Sequence, residues 1–241
     1  MTTRTLTILA GLAATFCAPS DATSPVEPPL QFRRFGGDSL CVTNGVVRTL
    51  ADGVLTVESA SSRAVVREVT APKVEIRFRY LGPTEQSKPL ASGEMRRQIG
   101  IKLRAQDTCN VLYAMWHIEP DSRLAVSVKR NPDKHAHAEC GAHGYNNIKP
   151  WYSVALPPIR PGEQHTLRAA LVGGEVTLMV DGKTAWGGTI GPGFLDFDGP
   201  VGFRTDNARF EFEFLAAAAD PAIESHIPPG TLDRCEKSPG D

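Results

Sequence analysis

The chain has 241 residues, a formal net charge of −1 and 41% hydrophobic residues. This length predicts one or two domains, and the hydrophobic content is enough to build a sizeable core. The 22 glycines and 19 prolines favour many turns but are too few for a disordered, low-complexity chain. No nucleic-acid-binding motif is present, so nucleic acid is not expected as a partner.

Charge is distributed unevenly along the sequence. Residues 63–130 contain 13 Lys and Arg against 7 Asp and Glu, a net of +6, and residues 196–241 contain 4 against 10, a net of −6. Two interpretations stay open: the basic part forms a face for an anionic partner, or the two parts neutralise each other within the fold. The second is the more common use of such charge runs.

The N-terminus has the pattern of an export signal. Arg4 precedes a short apolar run, residues 6–16, which cannot span a bilayer as a helix. Residues 18–29 consist mainly of Ala, Pro, Ser, Thr and acidic residues. We predict a leader over residues 1–22 and a flexible tether over residues 23–39.

Two processing sites fit this leader. Cleavage after Ala22 leaves Thr23 as the N-terminus, whereas a site resembling a bacterial lipobox makes Cys17 the lipidation site. Phe16 departs from the small residue that a lipobox has in that place. The protein is therefore predicted to be secreted, or to be a cell-surface or outer-membrane lipoprotein whose membrane contact is a lipid on Cys17.

The sequence contains five cysteines: Cys17, Cys41, Cys109, Cys140 and Cys235. Removal or acylation of the first leaves an even number, which suits an oxidising compartment. Three pairings are then open. We favour Cys109–Cys140, which closes an excursion between neighbouring strands, and Cys41–Cys235, which joins the two ends of the domain. Since no pair has CxxC spacing, a structural role is favoured over redox chemistry.

Alternation of apolar and polar residues predicts an all-β domain over residues 40–215 with no helix. Gly173-Gly174 and Asp181-Gly182 have the composition of tight hairpin turns. Residues 131–158 are irregular, and residues 216–241 are predicted to wrap the outside of the domain. Regularly spaced short strands favour a sandwich or a barrel. The predicted strands are residues 54–57, 63–69, 73–81, 97–103, 110–119, 124–130, 165–172, 175–180, 184–190, 200–205 and 208–215.

Four segments carry a family resemblance. They are HTLR at residues 165–168, GEVTLMVDGK at residues 174–183, GPVGFRTDNARF at residues 199–210 and QIGIKLR at residues 98–104. In this order they resemble the concanavalin A-like lectin/glucanase superfamily, and most of all its laminin-G-like and 3-keto-disaccharide hydrolase-type branches. The resemblance covers about residues 53–215 and implies a jelly-roll β-sandwich of two curved antiparallel sheets. It implies no single activity, because this fold carries binding modules, glycosidases, lyases and spacers.

A basic, hydrogen-bonding surface is the first candidate site. If the middle strands are neighbours, their outward side chains form one surface that suits a sugar or an acidic polysaccharide, since Arg donates bidentately to carboxylate or sulfate. The alternative is an ordinary solvated sheet face with cross-strand pairs to Glu75. The residues of this surface are Arg77, Arg79, Gln98, Lys102 and Arg104.

Aromatic residues supply the second candidate. Trp151 and Tyr152 lie in the irregular region, where exposed rings could form a platform for sugar stacking. Trp116 shares a strand face with Leu112, Ala114 and Ile118, so we expect it in the core.

Two metal sites are conceivable from residue type. His135, His137, Glu139 and His143 contain ligands that suit zinc, but their spacing matches no common site closely and an exposed polar loop is favoured. Carboxylates in loops can bind calcium, a cofactor that some sandwiches of this superfamily hold. The candidates for calcium are Asp181, Asp196, Asp198 and Asp206.

The sequence contains little that indicates catalysis. Glu211 and Glu213 alternate on the last predicted strand but are only two, and neither a GxSxG nor an HExxH motif is present. An enzyme would bring His117, Glu119 or the His135 group beside Arg104. The favoured function is a non-catalytic extracytoplasmic sandwich that binds carbohydrate or another extracellular polymer. A glycan-active hydrolase or lyase and a protein-binding surface domain are the alternatives.

Overall fold

The computed structural model describes residues 31–67 and 69–217. The predicted leader, both processing sites, Cys17, Cys235 and nearly all of the predicted tail lie outside the described residues. Within the described part, no helix has the length and apolar character needed to cross a membrane.

Sixteen strands and one short helix, α1 (His137–Cys140), form in the described residues, with 3₁₀ turns at Gly37–Ser39 and Pro192–Phe194. In chain order the strands are β1 (Arg33–Phe35), β2 (Leu40–Asn44), β3 (Val47–Thr49), β4 (Leu55–Val57), β5 (Ser61–Val66), β6 (Lys73–Pro83), β7 (Arg97–Leu103), β8 (Val111–Glu119), β9 (Arg123–Lys129), β10 (Tyr145–Asn147), β11 (Pro150–Ser153), β12 (Gln164–Val172), β13 (Glu175–Val180), β14 (Lys183–Thr189), β15 (Gly202–Asp206) and β16 (Ala208–Ala217).

The strands form two antiparallel sheets. Sheet A has nine strands in the order β11-β14-β13-β12-β6-β16-β4-β3, with β1 also paired to β16. Sheet B has seven strands in the order β10-β9-β8-β7-β15-β5-β2. The predicted all-β, two-sheet sandwich is confirmed.

The core lies between the two sheets. Phe78 of β6 in sheet A meets Trp116 of β8 in sheet B edge to face, with ring centroids 5.6 Å apart. Phe203 of β15 and Phe212 of β16 make a second edge contact between the sheets at 4.8 Å. Such pairs contribute about 0.5–1.5 kcal/mol each beyond the area they bury. Trp116 is in the core, as predicted.

Both predicted hairpin turns form. Gly173 and Gly174 have φ of 57° and 87°, and Asp181 and Gly182 have φ of 50° and 78°. Two successive residues with positive φ give the type I′ turn, whose twist matches that of the flanking strands. These turns fix the register of β12, β13 and β14.

Part of the predicted tether forms a strand. Residues 23–39 are predicted to be a tether, but strand β1 lies within them and pairs Phe35 with Phe214 of β16. Residues 131–158 also contain more structure than predicted: β10 extends one edge of sheet B and β11 extends one edge of sheet A. The excursion therefore passes from one sheet to the other.

Candidate functional site

The outward side chains of four neighbouring strands of sheet B form a surface that we call the polar face. Ile99 and Ile101 of β7 point into the core, so the residues between them point outward. The register arranges the outward residues of β8, β7, β15 and β5 in three rows. The rows are His117, Gln98, Asp206 and Ser61; Met115, Gly100, Arg204 and Arg63; and Tyr113, Lys102, Gly202 and Val65.

Asp206 is the centre of this face. Its Oδ2 accepts hydrogen bonds from Gln98 Nε2 at 2.6 Å and from Arg204 Nε at 2.7 Å. Its Oδ1 accepts a bond from Ser61 Oγ at 3.3 Å and lies 3.8 Å from Arg63 Nη2. The residue is 1% exposed. A buried carboxylate thus orients side chains from two neighbouring strands, β5 and β7, and Arg204 of its own strand.

Arg204 is charged despite its burial. Burial alone would lower its pKa, but the charge of Asp206 and the hydrogen bond to it raise the pKa above the ordinary arginine value. The guanidinium carbon also lies 5.2 Å from the centre of the Tyr113 ring. Arg204 and Asp206 therefore form a buried ion pair in the middle of the polar face.

Three buried side-chain atoms on this face have no hydrogen-bond partner: Arg63 Nη1, Gln98 Oε1 and His117 Nδ1. Most buried polar atoms in folded proteins are paired, so each exception requires an explanation. Gln98 and His117 lie in the first row with Asp206, and Arg63 lies in the second row with its Nη2 3.8 Å from Asp206 Oδ1. The path from Arg63 past Asp206 and Gln98 to His117 crosses the strands, and we call it the line.

His117 is a neutral hydrogen-bond donor. Burial is the main cause that lowers its pKa to about 3, followed by the positive charges of Arg96, Arg123 and Arg204. Arg96 Nη1 lies 3.2 Å from His117 Nε2. Because a guanidinium only donates, Nε2 is the acceptor, and the unpartnered Nδ1 of the neutral ring carries the hydrogen.

A loop holds Arg96 over this end of the face. Asn207 Oδ1 accepts from the backbone nitrogen of Lys88 at 2.8 Å, and its Nδ2 donates to the carbonyl oxygens of Lys88 and Arg96 at 2.8 and 3.0 Å. Arg96 Nη2 also donates to Glu94 Oε2 at 2.5 Å. The asparagine directly after Asp206 therefore ties the loop of residues 84–96 to the polar face.

An exposed aromatic ring lies beside the third row. Tyr145 of β10 is 40% exposed and stacks on Tyr113, with ring centroids 6.1 Å apart and planes 24° apart. Lys129 Nζ lies 5.4 Å from the centre of the Tyr145 ring. The polar face therefore ends at an aromatic surface that is open to solvent.

The predicted single basic surface does not exist. Gln98 and Lys102 lie on β7 in sheet B, whereas Arg77 and Arg79 lie on β6 in sheet A, which pairs with β12 and β16 instead. Arg104 follows the end of β7 with φ of 49° and donates from Nη1 to the carbonyl oxygens of Leu195 and Phe197. The prediction is wrong because strands that follow each other in the chain belong to different sheets.

The outer face of sheet A is a network of ion pairs. Buried Glu75 accepts from Arg77 Nε at 2.6 Å and from Arg168 Nε at 2.7 Å, and Glu213 pairs with Arg34 at 3.0 Å. The alternative interpretation, cross-strand pairs to Glu75, therefore applies to this surface. A shallow groove of about 520 Å³ lies on it, and Arg79, Gln164, His165, Asp181 and Glu211 are among its lining residues.

Part of the charge asymmetry is neutralised within the fold. Arg77 lies 3.7 Å from Glu213, and Arg130 donates to Asp196 at 2.6 Å. Both pairs join the basic part of the sequence to its acidic part.

Trp151 and Tyr152 lie on the edge strand β11, away from the polar face. Trp151 is 64% exposed. Its ring lies against Gly187, where an added Cβ would come within 2.6 Å of it. The predicted aromatic platform is therefore exposed, but it belongs to the edge of sheet A.

The proposed metal ligands do not converge. Among residues 31–67 and 69–217, no group of three His, Cys, Asp or Glu side chains is placed to hold a metal ion. His135 Nδ1 instead contacts Asp107 Oδ2 at 2.8 Å, and Glu139 accepts from the backbone nitrogens of His135 and Ala136. The set of His135, His137, Glu139 and His143 is therefore not assembled.

The four candidate calcium carboxylates also lie apart, each with its own partner. Asp181 contacts His165, Asp196 binds Arg130, Asp198 accepts from the backbone of Gly199, and Asp206 belongs to the polar face. Calcium binding stays a prediction.

The groups that an enzyme would need beside Arg104 have other partners. His117 contacts Arg96, Glu119 pairs with Arg97 and His135 contacts Asp107. No catalytic constellation forms around Arg104 in the described residues.

The predicted disulfide Cys109–Cys140 is confirmed. It ties the loop before β8 to helix α1. Cys41 is also disulfide-bonded. Since its predicted partner Cys235 lies outside the described residues, that pairing stays a prediction.

No protein-family model and no curated protein matches the chain. Solved structures do match it. The carbohydrate-binding module CBM66 from Bacillus subtilis aligns with a TM-score of 0.51 at 13% identity, over 72% of this chain and 91% of that one. The fold is that of the concanavalin A-like jelly-roll sandwiches.

Two further structures have lower TM-scores. The carbohydrate recognition domain of Emp46p aligns at 0.49 with 11% identity, over 76% of this chain and 88% of that one. The galectin LEC-6 from Caenorhabditis elegans aligns at 0.39 with 9% identity, over 66% of this chain and 91% of that one. At these identities the comparisons show the fold alone, and the alignment with CBM66 agrees with the predicted jelly-roll β-sandwich.

Proposed function

We propose that the protein is an exported, non-catalytic domain that binds carbohydrate on the polar face of sheet B. The observation that carries the proposal is the line of three buried, unpartnered atoms: Arg63 Nη1, Gln98 Oε1 and His117 Nδ1. An unsatisfied buried polar group costs about 1–3 kcal/mol. A ligand that offers both donors and acceptors removes this cost at all three atoms, and sugar hydroxyls do both.

The polar face is organised before a ligand arrives. Asp206 fixes Gln98 with its amide oxygen unpaired, and the bond from Arg204 holds this carboxylate in place. Fixed polar groups lose little conformational entropy on binding, so more of the interaction energy appears as affinity. Tyr145, at the edge of the face, offers an exposed ring against which a sugar can pack.

Access to His117 requires one movement. Arg96 extends over His117 and is tethered by Glu94. A saccharide that replaces the guanidinium at this end gains the Nε2 acceptor of His117 as well. Since a long arginine side chain changes rotamer readily, this opening needs no change in either sheet.

The polar face has too few carboxylates for glycoside hydrolysis, which favours a binding function. Glycoside hydrolysis generally uses two carboxylic acids that flank the scissile bond. In the three rows of the polar face, as the described strands define them, Asp206 is the only carboxylate, and it is engaged by Arg204 and Gln98. The fold shared with a carbohydrate-binding module supports the same choice.

The test is binding of the purified full-length chain to an array of glycans and polysaccharides, with and without calcium. Arg63→Ala and Gln98→Ala should each weaken binding about tenfold, since one hydrogen bond to a charged or buried group contributes about 1.5 kcal/mol. Arg79→Ala and Trp151→Ala, both on sheet A, are the matched controls and should bind as the wild type does. Thermal unfolding of every variant checks that it folds.

Three results would overturn the proposal. Loss of binding in Trp151→Ala alone would move the site to β11. Release of shortened or unsaturated sugars would make the protein an enzyme. Absence of binding to every saccharide by the folded chain would favour the protein-interaction alternative.

A further inference from the structure

We infer that the saccharide bound by the polar face carries an anionic group, a carboxylate or a sulfate, and that Arg63 receives it. This ligand class depends on the proposed function, because it specifies which saccharides the same face binds. It follows from the balance of charges and of hydrogen-bond donors on the polar face.

Cationic side chains outnumber carboxylates here. Among the described residues on and beside the three rows, the carboxylates are Asp206 and Glu94, and they are bonded to Arg204 and Arg96. Lys102 has an interaction of its own, and the excess persists without it. The cations are Arg63, Arg96, Lys102, Arg123 and Arg204.

Among the buried and part-buried arginines of this set, Arg63 has the weakest charge compensation. Its side chain is 15% exposed, and the nearest acceptor charge, Asp206 Oδ1, lies 3.8 Å from Nη2, beyond hydrogen-bond distance. Asp206 is already neutralised by Arg204 at 2.7 Å. Nη1 of Arg63 is buried without a partner. A guanidinium in this position gains most from an oxyanion that accepts two parallel N–H groups.

The unpartnered hydrogen-bonding atoms show the same bias. Arg63 Nη1 and His117 Nδ1 are donors, whereas Gln98 Oε1 is the single acceptor. A ligand that fits this line must accept more often than it donates. A neutral sugar hydroxyl has one donor and two acceptor lone pairs, whereas a carboxylate or sulfate only accepts.

The length of the line indicates how such a ligand lies. From β5 to β8 there are three strand intervals, or about 14 Å across the sheet. One anionic group cannot reach both ends. The anion therefore binds at Arg63, and the hydroxyls of adjoining sugar residues pair with Gln98 and His117. An acidic oligosaccharide has this repeating arrangement.

The electrostatic environment of His117 supports an anionic ligand on this face, whereas the assignment to Arg63 depends on the contacts of Arg63 alone. After burial, the charges of Arg96, Arg123 and Arg204 are the causes that lower its pKa. A positive potential that opposes protonation of an imidazole also attracts an anion.

The experiment compares matched polymers that differ only in charge. Polygalacturonate is titrated into the full-length chain beside the same polymer with its carboxyl groups reduced to alcohols, and a sulfated galactan is titrated beside its desulfated form. The charged polymer of at least one pair should bind about tenfold or more tightly than its neutral form. This preference should shrink at high sodium chloride.

The Arg63→Gln variant tests whether Arg63 causes the preference for the charged polymer. It keeps a polar, hydrogen-bonding side chain but is shorter and has no charge, so binding of the charged polymer should fall to the level of the neutral one. Arg63→Lys should keep part of the preference for the charged polymer. It replaces Arg63→Gln in the comparison if that variant does not fold. Arg79→Gln, which replaces an exposed arginine on sheet A, is the control. It should change the binding of neither the charged nor the neutral polymer.

The outcomes separate the two proposals. If charged and neutral forms bind equally well, the anionic class is wrong and the carbohydrate-binding function stands. If the preference survives in Arg63→Gln, the assignment to Arg63 is wrong. If a folded chain binds neither these polymers nor any saccharide of the array, both proposals fail.

Discussion

Gln98 and Asp206 face each other across β7 and β15, and the Gln98 amide donates to the Asp206 carboxylate at 2.6 Å. The same carboxylate oxygen accepts from Arg204. One buried acid therefore holds both a charged and a neutral side chain in place. The amide of Gln98 consequently has a defined orientation, with its oxygen unpaired in the middle of the polar face.

Asp206→Asn should strongly destabilise the fold. The variant keeps the shape of the side chain but leaves Arg204 buried without an opposite charge, which typically costs about 3–5 kcal/mol. Denaturant-induced unfolding measures the change. Glu58→Gln is the control, because it breaks the exposed Arg48–Glu58 pair at 3.4 Å, and it should cost less than about 1 kcal/mol. Equal losses in the two variants would contradict the central role of Asp206.

His117 should make stability fall as the pH is lowered. Its pKa is about 3 in the fold and 6.5 ordinarily. Between these values the unfolded chain binds a proton that the folded protein does not, so this contribution to stability is lost as the pH falls. From pH 7 to pH 4.5 the loss is about 2–3 kcal/mol.

His117→Gln isolates this effect, because glutamine does not titrate in this range. The free energy of unfolding of the wild type should therefore decrease more steeply than that of the variant over the same pH range. Parallel decreases in the two proteins would show that His117 is not kept neutral by the fold.

Two glycines on opposite sheets should respond differently to alanine. At Gly202 an added Cβ would lie 2.1 Å from the carbonyl oxygen of Ala64, which is backbone of the neighbouring strand. Gly202→Ala should therefore cost about 3 kcal/mol or more. At Gly187 the neighbour is the exposed ring of Trp151, which can move away.

Gly187→Ala should accordingly cost less than about 1 kcal/mol and change the tryptophan fluorescence. Unfolding curves and emission spectra of both variants check the pair. A larger loss of stability in Gly187→Ala than in Gly202→Ala would contradict the described packing.

Removal of the disulfide between Cys109 and Cys140 should destabilise the domain without unfolding it. The two cysteines are 31 residues apart, and a closed loop of this length corresponds to about 3–4 kcal/mol in the chain-entropy model. The double variant Cys109→Ala, Cys140→Ala avoids unpaired thiols. Its unfolding midpoint should fall while its circular dichroism spectrum stays that of a β-protein. An unchanged midpoint would contradict a stabilising role of the disulfide.

Alternation in the sequence predicted the long strands well. Strand β7 has the predicted bounds, and β6, β8 and β12 differ by one or two residues, because each has one apolar and one polar side. The strands that were missed have five residues or fewer. In β2, Leu40 and Cys41 are both buried, so no alternation is visible there. Segments this short carry too few residues to show a period.

The site was harder to predict than the fold. Alternation shows that Arg79 and Lys102 both point outward, but not that they belong to different sheets. The sequence analysis did not propose Arg63 or Arg204 as ligand contacts, and it named His117 only for an enzyme and Asp206 only for calcium. A signal for this face was present, since Tyr113 and His117 occupy outward positions of a strand whose other side is apolar.

The most direct test of the central claim is a map of amide chemical shifts in the full-length chain, recorded while the saccharide most strongly retained by the array is added as a short oligomer. Binding on the polar face predicts that the largest shifts fall on β7, β8 and β15, around Gln98, His117 and Asp206. Shifts that instead cluster on β6, β12 and β16, or around Trp151, would contradict the assignment of the site to sheet B.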